Sequence, residues 1–190
     1  MSKSVLISIQ PFWVFLIIAC KMGWAIDKEK TIEVRKSFPK DKDWNRNVEI
    51  YCSKDKESFG KIPKEYQPLM AKFLGKVIGE FVCDKVNMSL VGYKDGNPCY
   101  WDLLDGSCLS KEEIMDYGKW GVLYGWHISD LKIYDKPKEL SDFRKPCPYT
   151  DGTYCIENKC EYYGDWTGVC HCWVEIPPQS WCYVEELQNG

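Results

Sequence analysis

The sequence predicts an α+β domain whose mixed sheet curls into a small barrel, with a few short helices beside it. Three observations carry this. Strand-like runs recur along the whole chain, the helical stretches between them are short, and the composition (45% hydrophobic, 28% charged over 190 residues) is that of a globular chain with a core. With no internal repeat and no low-complexity linker, one domain over 1–190 is expected.

The elements follow in order. "VLISI" (5–9) is strand-like, and Pro11 fits the first turn of a helix that shows its apolar face at Trp13, Val14, Leu16 and Ile17. "KTIEVR" alternates as a half-buried strand. "VEIYCSK" (48–54) is a strand, and "IPKEYQPLMAKFLG" (62–75) reads as a helix stopped by Gly75. "KVIGEFVCDKV" (76–86) is a long strand in which Gly79 marks a bulge or bend. "NPCYWDLLDGSC" (97–108) is loop-like. Ser110 and Glu113 form an S-x-x-E capping box opening a helix to about Tyr117. "GWHISDLKIYD" (125–135) and "SWCYVEEL" (180–187) are further strands.

The oily N-terminal segment has a second reading. Lys3, the run "FWVFLIIAC" (12–20) and "GWA" ending at Ala25 also satisfy a secretory signal, which would make the product a secreted, disulfide-bonded protein. The run is too short and too interrupted to span a membrane, which takes about 20 apolar residues.

Eleven cysteines are present, and an odd number argues against a fully paired disulfide framework. Cys20, Cys52 and Cys83 lie in apolar elements and read as buried thiols. Residues 146–179 form a loop rich in Cys, Tyr, Gly and Pro, in which Cys147, Cys155, Cys160, Cys170, His171 and Cys172 offer soft ligands with few aliphatic residues to fold around. In a reducing cytosol such a loop is best ordered by a structural, tetrahedral Zn²⁺. Cys147, Cys155 and Cys160 are the first candidates, with a fourth ligand from Cys170, His171 or Cys172. Free thiols and disulfides are the competing readings.

Net charge is −3, so there is no global signal for nucleic acid, yet residues 21–46 hold eight Lys/Arg against five Asp/Glu. Within that stretch, Glu33 and Arg35 sit two apart on a strand, with Cα atoms about 6.5 Å apart on one face. Lys30 precedes them in the turn, free to swing over the same face. A Lys/Arg pair binds phosphate, and a carboxylate beside it orients the cations or accepts from a base amino group. A plain ion-pair ladder has the same composition.

The blocks "LISIQPFWVFLI", "KTIEVRK", "VEIYCSK", "GKVIGEFVCDKV", "WHISDLKIYDKPKELSDF" and "PPQSWCYVEEL" resemble, in order and spacing, the ASCH domain family over roughly residues 5–187. They are most similar to its phage and Firmicutes branch with a Cys-rich insertion. The resemblance implies a partly open PUA-like β-barrel with flanking short helices, a cytoplasmic protein, and "VLISI" as the first barrel strand. Lys30, Glu33 and Arg35 match the Lys, Glu and Arg of the family's G-x-K-x-x-E-x-R motif. Lys28 stands where the motif has Gly, so the turn must be built differently, with Gly23 one means.

The resemblance implies an RNA or modified-nucleotide ligand at that motif, with no membrane or protein partner. The wider superfamily also resembles nucleoside amidohydrolases and ribonucleases. The amidohydrolase-type members carry Thr where this chain has Glu33, so catalysis would fall to Lys30 and Glu33, with Glu80 as second carboxylate. His127 and Trp126 are further ligand candidates, as a contact to base or phosphate and as a stacking ring. Their plainer roles are a packed histidine and a core aromatic.

Overall fold

The computed structural model describes residues 4–24, 29–40, 46–94, 97–99, 101–146 and 172–186. The chain runs β1 (Ser4–Ile9), α1 (Pro11–Lys21), β2 (Ile32–Arg35), β3 (Arg46–Cys52), α2 (Lys56–Gly60), α3 (Gln67–Met70), β4 (Val77–Cys83) and β5 (Val86–Leu90). It continues through β6 (Gly92–Lys94), β7 (Asn97–Cys99), α4 (Trp101–Leu104), α5 (Lys111–Gly118), β8 (Val122–His127), β9 (Ser129–Lys138), β10 (Phe143–Arg144) and β11 (Trp181–Glu186).

One sheet has the order β10-β11-β1-β3-β4-β9, a second the order β2-β8-β5, and β6 and β7 form a hairpin. Strand β1 lies between β11, antiparallel, and β3, parallel. The run 12–20 that also fits a secretory signal therefore lies in α1, packed against the interior strand β1. In α1, Val14, Phe15, Ile17, Ile18 and Ala19 are buried on the core side. Pro11 occupies its first turn, and the amide of Phe12, which has no intrahelical acceptor, donates to Ser58 Oγ at 3.0 Å. Among the described residues no helix is long and apolar enough to cross a membrane.

The two long strands read from sequence are each bent in two. β4 pairs with β9 in the first sheet, and their continuations β5 and β8 pair in the second. Both chains leave one sheet for the other at the same place, residues 84–85 and Ile128. The His127 amide donates to the Lys85 carbonyl at 2.9 Å and the Ile128 amide to the Thr31 carbonyl at 2.8 Å. This is how a sheet turns a barrel corner without losing its ladder. The bulge expected at Gly79 is present as a register shift in the β4–β9 pairing, and the Lys132 carbonyl lies where a side chain at Gly79 would begin.

The helix expected over 62–75 is reduced to turns around α3. Pro68 has no amide to return to Lys64, and the flanking bonds (Tyr66 N to Pro63 O, 3.0 Å; Leu69 N to Tyr66 O, 3.1 Å) are of the tighter i→i+3 type. The expected loop at 97–108 contains β7 and the single turn α4. Both bonds of the capping box are made: Glu113 N to Ser110 Oγ at 3.1 Å and Ser110 N to Glu113 Oε2 at 2.8 Å.

The main core joins β1, β3 and β4 to α1, with Trp126, Phe15, Phe81 and Ile50 among its fully buried residues. A smaller cluster (Val34, Val91, Leu103, Ile114, Leu123) packs α4 and α5 onto the second sheet. Cys52 and Cys83 are buried as expected, whereas Cys20 is exposed and donates to Glu29 Oε1 at 2.5 Å.

Burial pushes the Cys52 thiol up to about 12 and the Cys83 thiol up to about 11. An unfolded thiol ionises near pH 8.5. Between that pH and the folded values the native state therefore binds more protons, and stability falls as pH rises. The urea midpoint is expected to drop between pH 9 and 11. Cys52→Ala is expected to make the drop shallower by up to about 1.4 kcal/mol per pH unit, read from matched denaturation curves.

Candidate functional site

Four residues of β2 place the motif. Antiparallel pairing with β8 sets Glu33 opposite Trp126, Val34 opposite Gly125 and Arg35 opposite Tyr124. Val34 points into the small cluster under α4 and α5, so Glu33 and Arg35 share the other face. The turn before β2 is built by Gly106, whose carbonyl accepts from both Thr31 N (2.7 Å) and Ile32 N (2.9 Å). Gly106 has φ +82° and Thr31 Oγ1 occupies the space of a side chain there, so only glycine fits. Gly23 (φ +65°) instead follows the end of α1.

Lys30, Glu33 and Arg35 are 4%, 6% and 8% exposed. They form one chain of charge: Lys30 Nζ to Glu33 Oε2 at 3.2 Å, Glu33 Oε1 to Arg35 Nη2 at 3.0 Å. Lys30 does not swing freely. Its ammonium also donates to the carbonyls of Ile32 (2.7 Å) and Ser107 (3.0 Å), which uses all three of its protons, and it lies 5.3 Å from the Trp13 ring centroid. Arg35 Nη2 donates to the Ser8 carbonyl at 2.5 Å, joining the second sheet to the end of β1.

These side chains form the floor of a cleft of about 410 Å³, walled by Trp13, Ser53, Glu113, Asp116 and Tyr117. Two buried polar atoms on its lining, Arg35 Nε and Ser53 Oγ, have no hydrogen-bond partner among the described residues. Burial also pushes the Tyr117 phenol up. The arrangement presents an N–H donor and a hydroxyl beside aromatic walls, with one net positive charge on the floor and carboxylates on the α5 side.

The other sequence candidates lie elsewhere. Trp126 is 1% exposed, packs in the main core beside Trp181 and lines a separate small cavity with Arg46 and Val86. His127 is on the opposite face of β8, with Nδ1 2.6 Å from Asp84 Oδ1, a contact that holds the Asp84 carboxyl below its usual range. Glu80 faces Glu49 across β3–β4, where it meets Lys132 Nζ at 3.2 Å and Tyr134 Oη at 3.4 Å, away from the cleft lining. Cys147, Cys155, Cys160, Cys170 and His171 lie outside the described residues. Cys172 is buried, and the ends of the Cys-rich excursion are tied by Lys145 N to Cys172 O at 2.6 Å and Val174 N to Phe143 O at 3.0 Å. Among the described residues no cluster of three His, Cys, Asp or Glu could hold a metal.

Sequence reasoning did not find Trp13, Ser53, Gly106, Ser107, Glu113, Asp116 or Tyr117 as site residues. The capping box located α5, but nothing local says that its helix walls the cleft.

The chain superposes on the crystal structure of an ASCH protein from Zymomonas mobilis with a TM-score of 0.51 at 16% identity, over 98% of this chain and 88% of that one. Two point mutants of that protein give TM-scores of 0.50 at 16% identity, again over 98% of this chain and over 89% and 91% of theirs. The fold is that of an ASCH domain, an α+β PUA-like barrel. No protein-family model and no curated protein matches the sequence.

Removing one partner of a buried ion pair leaves a charge with no compensation, at a cost of about 3–5 kcal/mol. Glu33→Gln strands two cations and is expected to destabilise by at least that amount. Glu80→Gln, whose partner Lys132 is exposed, is expected to cost less than about 1 kcal/mol. Urea denaturation of both variants measures the contrast.

Proposed function

We infer that this is a cytoplasmic ASCH-family protein, of the phage and Firmicutes branch, that binds RNA or a modified nucleotide in the cleft over Lys30, Glu33 and Arg35. One observation carries the reading: Arg35, fixed by Glu33 and Ser8, keeps a buried Nε–H with no acceptor among the described residues, inside a cleft of ligand size. A buried donor left unpaired costs about 1–3 kcal/mol, so a ligand oxygen there is strongly favoured. A phosphate or base carbonyl supplies that oxygen, and Ser53 Oγ offers a second contact. Trp13 and Tyr117 flank a planar base.

The same geometry favours binding over turnover. With three acceptors around its ammonium, Lys30 acts as a positioning cation that holds Glu33 in place rather than as a free base. The nucleoside amidohydrolase or ribonuclease reading would need one of these groups to release its present partners.

Arg35→Lys keeps the charge but loses the fork and the Nε donor. It is expected to weaken binding of short single-stranded RNA or mononucleotides at least tenfold in calorimetric titration, with a cooperative thermal transition retained. Unchanged affinity, or no binding by the native chain, overturns the site.

We also place a structural Zn²⁺ in the Cys-rich insertion 146–179, with ligands drawn from Cys147, Cys155, Cys160, Cys170, His171 and Cys172. The support is the soft-ligand density of the sequence, with Lys145 and Cys172 on either side of it joined by a backbone hydrogen bond. Native mass spectrometry is expected to show one zinc per chain, lost on acid denaturation.

A further inference from the structure

The turn from α5 into β8 is strained where no tight sequence constraint requires it. Lys119 (φ +46°) and Trp120 (φ +65°) are consecutive non-glycine residues in the left-handed region. Each costs roughly 1–2 kcal/mol there, and a bulky ring is among the least suited side chains for it. The surroundings hold the turn in place. Lys119 N bonds Met115 O at 3.0 Å, Gly121 N bonds Gly118 O at 2.8 Å, and Val91 N bonds Gly121 O at 2.9 Å. The result is a tryptophan 65% exposed, its ring laid against Gly92, where a side chain would come within 3.3 Å of it. Strain of this kind persists where it displays a group for use.

The ring covers Gly92 at the start of β6 and lies on a basic, apolar face. Tyr117, three residues earlier, walls the cleft and carries Lys36 Nζ 4.8 Å from its ring centroid. On the sheet itself Arg35, Tyr124 and Met88 lie in one row, with Val122 and Leu90 paired beside them, and Phe38 packs on Tyr124 at 4.5 Å. Met88 and Leu90 are exposed. Of the lysines in the segments that build this face, Lys36, Lys40, Lys85 and Lys119 are exposed, with Asp84 and Asp116 bordering them, which leaves the face a net positive charge in a chain of net charge −3. A single strand of nucleic acid matches it, with its phosphates on the lysines and its bases on exposed rings.

We propose that Trp120 is a stacking platform for a base of single-stranded RNA, next to the nucleotide held in the cleft, and that the strand leaves across the β8–β5 face. This rests on the RNA-binding reading above and extends it from one nucleotide to several.

The test compares a mononucleotide with a five- to eight-residue single-stranded RNA on the full chain, using Trp120→Gly and Trp120→Phe. Glycine removes the ring and is at ease at positive φ, so Trp120→Gly is expected to be at least as stable as the native chain to heat. It is expected to lose about tenfold or more in affinity for the oligonucleotide and none for the mononucleotide. Trp120→Phe retains most of the oligonucleotide affinity. Equal oligonucleotide binding by Trp120→Gly and the native chain overturns the platform while leaving the cleft intact. A platform effect that persists when Arg35→Lys changes nothing supports Trp120 and overturns the cleft. Loss of thermal stability in Trp120→Gly with no change in RNA affinity assigns the ring a structural role, and altered self-association without altered RNA binding assigns it to a protein contact. Either result overturns the proposal, as does an absence of RNA binding by the native chain.

Discussion

Glu33 is the group on which this site depends. Its two oxygens are divided between Lys30 and Arg35, and each cation also donates to a main-chain carbonyl in another part of the fold. Lys30 reaches Ser107 in the α4–α5 connection, and Arg35 reaches Ser8 at the end of β1. A four-residue strand in the smaller sheet is thereby joined to the larger sheet and to the cleft wall. Burial of three charges is costly in itself, and good geometry with extra hydrogen bonds is what offsets it. Arg35 Nε is left buried with no hydrogen-bond partner among the described residues, on the lining of the cleft.

Much of this was legible in the sequence because it is local. The period-2 alternation of residues 31–35, the proline opening α1 and the S-x-x-E box each report a backbone conformation from a few neighbouring side chains. The Lys30–Glu33–Arg35 group was legible for the same reason: two of its members share a strand face and the third is in the adjoining turn. What was not legible depends on distance along the chain. Gly106 and Ser107 shape the turn before β2 from more than seventy residues away, and their neighbours "DGSC" read only as a loop.

The strand corners failed for a different reason. "KVIGEFVCDKV" and "GWHISDLKIYD" carry apolar residues on both sides of the bend, because each half contributes to its own sheet. Periodicity shows that a residue faces a core, not which core. Trp126 and His127 owe the alternatives left open for them to the same ambiguity. They are adjacent on β8 and so face opposite ways, one into the main core and one to solvent beside Asp84, while the face shared with Glu33 turns inward at that row. Only one row further along, at Arg35 and Tyr124, does that face approach the surface.

That geometry separates two kinds of electrostatics. The floor of the cleft carries one net positive charge, buried and bound to fixed partners, so salt screens it weakly. Lys36, Lys40, Lys85 and Lys119 of the neighbouring face are exposed, and their field is screened within about 10 Å at ordinary ionic strength. In the binding reading, attraction and orientation of a polyanion fall to the outer lysines, and discrimination among ligands falls to Arg35, Ser53 and the aromatic walls. A chain of net charge −3 has little general affinity for nucleic acid to overcome. In that reading the local bias of its second sheet directs a short strand to one place, while the buried floor decides which nucleotide stays.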